Sequence, residues 1–90
     1  MQVRGFIRSA ELDERPPGSG AIELTLRVQG VGAGQPRTVV VLHQLLLDDP
    51  TLDPDELAGR SFAAEVGQDA EGRWVVEQIV VAAKVLRDEE

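Results

Sequence analysis

Ninety residues, a formal charge of −7 and no cysteine allow one small domain that must hold together without disulfides or thiolate metal sites. Hydrophobic residues at 42% and charged residues at 28% place the chain among folded rather than disordered proteins. No apolar run approaches the roughly 18 residues of a membrane span, and Met1–Gly5 lacks the apolar stretch of a signal peptide, so the expectation is a soluble cytoplasmic protein with no membrane partner.

The chain opens on Gln2–Leu12, where Val3 and Ile7 alternate with Arg4, Phe6 and Arg8 as in a half-buried strand. Gly5 in its middle suggests a bulge or sharp coil, and the apolar phase shifts past Ser9 to Ala10 and Leu12. Asp13–Gly20, with two prolines and two glycines, reads as a surface loop. Ile22–Gln29 then alternates without a fault and puts Ile22, Leu24, Leu26 and Val28 on a core face.

Gly30–Pro36 is glycine-rich, but no Gly-Lys-Ser/Thr leads from it into a helix, so it reads as a flexible hairpin loop rather than a phosphate cradle. Arg37–His43 is β-branched and apolar on both faces, the pattern of a central strand. Leu45–Leu47 extend it as a helical turn. Asp53–Gly59 carries the start and stop signals of a short helix: Asp53 to cap, Pro54 at the first position, Asp55 and Glu56 in the first turn, Gly59 past the end. Ser61–Val66 alternates Phe62, Ala64 and Val66 against Ala63 and Glu65, and Gly67–Gly72 turns the chain back. A fifth strand runs from Arg73 towards Val85, either buried on both faces or bent partway, with Val75, Ile79 and Val81 on one side and Trp74, Val76 and Val80 on the other. The domain then covers residues 1–86, followed by a charged C-terminal tail at 87–90.

Five short strands with one short helix between the third and fourth is the element order of an all-β, five-stranded Greek-key barrel. Val3-Arg4-Gly5-Phe6-Ile7 resembles the V-x-G-x-I opening of OB-fold first strands, and Leu57 to Val66 is similar to their L-x-G-x-x-V-x-V entry into the fourth. Gly72-Arg73-Trp74-Val75-Val76 with Ile79 completes the hairpin. An SH3-like barrel is the rival; the place of the helix favours the OB-fold.

That resemblance implies a ligand face centred on strands two and three, flanked by the loops at Glu11–Gly20 and Gly67–Gly72. With Val3 and Ile7 turned inward, Arg4, Phe6 and Arg8 point out beside Thr25, Arg27 and Gln29. Arg37 and His43 join them if the third strand turns Val39 and Val41 outward. Residues 1–45 hold five arginines against four acids, whereas residues 46–90 hold four cations against twelve, so a basic face survives the net acidity. Guanidinium groups around one phenylalanine suit single-stranded nucleic acid. The acids Asp69 and Glu71 in the second loop argue against it.

The alternative is a protein partner docked on an apolar centre of Phe6, Val39 and Val41 with an arginine rim. A homodimer through the sheet edges is also compatible. One histidine, no cysteine and no nucleophile elbow speak against an enzyme. A lone His43 makes no metal site, the acids at 48–56 lack the spacing of a calcium loop, and no cofactor is expected.

Overall fold

The computed structural model describes residues 1–50 and 52–82. Five strands, β1 (Gln2–Glu14), β2 (Ile22–Gln29), β3 (Thr38–Val41), β4 (Ser61–Gln68) and β5 (Trp74–Val81), are joined by two short helices, α1 (His43–Asp48) and α2 (Pro54–Leu57), between β3 and β4. The strands close into a barrel in the order β1-β2-β3-β5-β4. The end of the last expected strand, towards Val85, and the expected tail at 87–90 lie outside the described residues. No helix among the described residues is long and apolar enough to cross a membrane.

Closure depends on β1 serving two neighbours. It pairs antiparallel with β4 over Gln2–Phe6 and with β2 over Phe6–Glu14, so that Phe6 stands opposite both Ser61 and Gln29. The other seam is slight: β3 and β5 run parallel, with Val40 opposite Val75.

Gly5 keeps its register, opposite Phe62. A Cβ there would collide with the backbone carbonyl oxygen of Gln29 and press on Val31, so the missing side chain lets β2 cross close to β1. The bulge that the sequence suggested at Gly5 falls instead at Arg8: Ile7 faces Val28 and Ser9 faces Arg27, leaving Arg8 as the extra residue.

Period-two patterning fills the interior. Val3 and Ile7, Leu24, Leu26 and Val28, and Phe62, Ala64 and Val66 all join one buried cluster with Leu52 and Leu57. The third strand differs from the outward option entertained for it. Val39 and Val41 are fully buried in that cluster, and Val40, opposite Thr25 and Val75, takes the other face. In β5 a second bulge at Glu77 reverses the phase, since Val76 faces Val66 and Gln78 faces Glu65. Val76 is therefore buried and Val80 is 72% exposed, where strict alternation would have put them on one side. The strand is bent partway rather than covered on both faces.

The helix expected at 53–59 is α2. Asp53 Oδ1 accepts from the Asp55 N–H at 2.9 Å, Pro54 occupies the first turn, and Gly59 follows at φ 87°. The Gly59 N–H then donates to the Ile7 carbonyl at 2.7 Å, tying the helix exit to β1. The turn around Leu45–Leu47 is α1, which opens at His43.

Gly5→Ala should lower stability by about 1–3 kcal/mol, the usual cost of forcing atoms into a packed site. A urea titration checks this, and an unchanged midpoint would show that Gln29 moves aside freely.

Candidate nucleic-acid interface

The outward positions of β1 and β2 and the approach to β3 carry the expected residues unequally. Arg8, Arg27 and Arg37 line one shallow basin of about 440 Å³, together with Ser9, Glu11, Val28 and Thr38. Arg8 and Arg37 also line an adjoining hollow of about 330 Å³ with Gln29, Gly30 and Val31. The bulge aids this grouping, because an extra residue on β1 re-aims the Arg8 side chain relative to the regular ladder. Arg37 precedes β3 but stays in its ladder, its carbonyl accepting the Val28 N–H at 2.9 Å.

Phe6 is 50% exposed, and its ring lies over Gly30, whose φ of 74° and bare Cα leave room for it. Arg4 lies two residues back on the same outer row, opposite Ala63 of β4. Thr25 is half-buried between Glu11 and Val40. His43 does not join the group. Its Nδ1 accepts the N–H of Ile22 at 3.1 Å, and Ile22 is six residues along β2 from Val28, roughly 20 Å from Arg37's place in the ladder. The reason is that β3 ends at Val41, so the imidazole caps the start of β2 instead of extending the face.

Ion pairing separates the arginines into two groups. Among the described residues, Arg15, Arg60 and Arg73 all meet carboxylates. Arg4, Arg8, Arg27 and Arg37 make neither an ion pair nor a side-chain hydrogen bond with the described residues, although all are exposed. Such guanidinium groups retain their full donor set for a ligand.

Arg73 accounts for the loop acids. Its Nε donates to Asp69 Oδ2 at 2.9 Å and its Nη1 to Glu23 Oε1 at 3.1 Å, while Glu71 lies 3.5 Å away. Asp69 Oδ1 also accepts the N–H groups of Glu71 and Arg73, each at 2.9 Å. The β4–β5 turn thus has its acids held by a cation, which weakens the repulsion expected from Asp69 and Glu71. In the β1–β2 loop the Glu14 carboxylate accepts from Gly18 and Gly20, both at 2.9 Å. The loop between β2 and β3 is pinned as well: Gln35 Nε2 donates to the Gln2 carbonyl at 2.8 Å and its Oε1 accepts from Gly32 at 3.0 Å.

Sequence reasoning missed Ser9 and Thr38 in the basin and the clamp from Arg73 to Glu23, and it placed Glu11 only at the start of a flanking loop. Outward alternation could have supplied Glu11, which stands opposite Thr25. Nothing local links residues fifty apart. No protein-family model matches the chain, and no curated protein or solved structure matches it either.

The Arg73 backbone N–H lowers the carboxyl pKa of Asp69, with the guanidinium adding to it, and the Gly18 and Gly20 N–H groups lower that of Glu14. A carboxyl depressed in the folded state stabilises fully above its unfolded value and loses that contribution as pH falls. We expect the melting temperature to drop as pH is lowered from about 5 towards 2. Asp69→Asn should flatten that drop in melts followed by circular dichroism; an unaltered slope would mean that the Asp69 carboxylate does not accept these hydrogen bonds.

Proposed function

We propose that this barrel is a small OB-type module that binds single-stranded nucleic acid across the outer face of β1, β2 and β3. The strand order and the helices between β3 and β4 support the OB-type reading, in which ligands lie on strands two and three. The observation that carries the functional reading is the division of the arginines. The described arginines away from this face pair with acids, while Arg4, Arg8, Arg27 and Arg37 share the exposed side with Phe6 and form no ion pair among the described residues.

Guanidinium forks suit phosphate oxygens, and a phenyl ring accepts any base by stacking. The net charge of −7 opposes a polyanion at long range; at about 0.1 M salt that field is screened beyond about 10 Å, and at lower salt the contacts within the face must outweigh it. The protein-partner alternative needed Val39 and Val41 on the surface. Both are in the core, so the apolar centre of this face shrinks to Phe6, which favours the nucleic-acid reading.

Fluorescence anisotropy with labelled oligo-dT and oligo-U tests this reading. We expect binding at low salt with a logarithmic salt slope of about −3, four cations at roughly −0.7 each on a single strand. Arg4→Glu with Arg27→Glu should abolish it. Absence of binding at low salt would refute the proposal.

A further inference from the structure

The outer face is polarised along β1. Towards its start the outward residues are Phe6 and Arg4; towards its end they are Glu11 and Asp13, with Asp13 opposite Glu23 on β2. Glu23 is engaged by Arg73 and by Arg15. Glu11 and Asp13 make no ion pair among the described residues, and Glu11 itself helps line the arginine basin. The arginine basin is therefore bordered by one carboxylate, Glu11, with Asp13 two residues further along β1.

Resting on the nucleic-acid reading above, we propose that the Arg8–Arg27–Arg37 basin is a seat for the terminal phosphate of a single strand. Two physical arguments carry it. A terminal phosphomonoester bears about −1.5 to −2 at neutral pH, more than the single negative charge of an internal diester. Three guanidinium groups that form no ion pair among the described residues outnumber the one Glu11 carboxylate and favour the more highly charged group, and each can grip it through two N–H donors. The second argument is the acidic flank. A strand continuing past the basin towards the β1–β2 loop would bring its next phosphate against Glu11 and Asp13, where like charges repel. A strand that ends in the basin avoids this.

From the seat the strand leaves along β1 in the other direction. Phe6 is two residues from Arg8, roughly 7 Å along the strand, within reach of the base of the terminal nucleotide. Arg4, two residues further on, meets a following backbone phosphate. The face then reads a strand end in one polarity: terminal phosphate on the basin, first base on Phe6, next phosphate on Arg4.

The test uses the full chain and an internally labelled oligo-dT of six nucleotides carrying a 5′ phosphate, a 3′ phosphate or neither, compared by anisotropy at low salt. One phosphorylated end should bind about tenfold tighter than the unphosphorylated strand, as charge-assisted bonds to a single group allow. The other end should gain little, because a strand seated in reverse polarity cannot place its first base on Phe6 and its next phosphate on Arg4, whereas added charge alone would strengthen both ends equally. Arg27→Gln or Arg37→Gln should erase the gain, Arg4→Gln should weaken all three oligonucleotides alike, and Asp13→Asn, beyond the basin, should narrow the gap by strengthening the unphosphorylated strand. These side chains are exposed, and equal melting temperatures confirm that the variants fold. Equal binding of the three oligonucleotides, or equal gain from either end, overturns the end seat and leaves the nucleic-acid reading standing. No binding by any of them overturns both.

Discussion

A strand that belongs to two ladders must coil between them, and in this barrel the coil is concentrated in β1 between Gly5 and Arg8. Gly5 allows the Gln29 carbonyl to approach where any side chain would stand in the way, Phe6 is shared by β4 and β2, and Arg8 is the extra residue that releases the twist. The same four residues set the barrel closure and the surface chemistry. With Ile7 fixed in the core, Phe6 is turned outward, and the bulge carries Arg8 to the side of Arg27 and Arg37. Fold and candidate site thus share one constraint, the crossing of two backbones at a glycine.

Charge is arranged with similar economy. An exposed ion pair contributes little stability, so the pairs in this chain matter more for where they leave cations free. Arg73 holds the acids of the β4–β5 turn and Glu23 together, and Arg60 faces Glu56 across the exit of α2. The remaining described arginines gather on one face. A protein with a formal charge of −7 can therefore present a locally basic surface, because a nearby field depends on the arrangement of charges and only the distant one on their sum.

Much of the fold was legible in the residues. The unbroken alternation of Ile22–Gln29 and of Phe62, Ala64 and Val66 gave the core faces of β2 and β4, since inward and outward positions must alternate on any pleated strand. The start and stop signals around Asp53–Gly59 gave α2, because a capping carboxylate, an early proline and a late glycine each act on their own backbone. Alternation also placed Arg4, Phe6, Arg8, Thr25 and Arg27 on the outer side. It was blind where both faces are apolar. Val39, Val40 and Val41 offer no polar residue to mark the surface, and β5 has a bulge at Glu77 between two apolar runs whose phases alternation could not relate.

The sequence by itself determined a small barrel of five strands and the set of side chains facing out of β1 and β2, because periodicity and capping are properties of a few neighbouring residues. The tertiary structure alone decided the rest. It buried Val39 and Val41, gave His43 to the Ile22 amide, and joined Arg37 to Arg8 and Arg27 in one basin. It also tied Arg73 to Glu23 across fifty residues of chain. Such outcomes depend on register and closure, and a one-residue slip between strands would send every one of these side chains elsewhere.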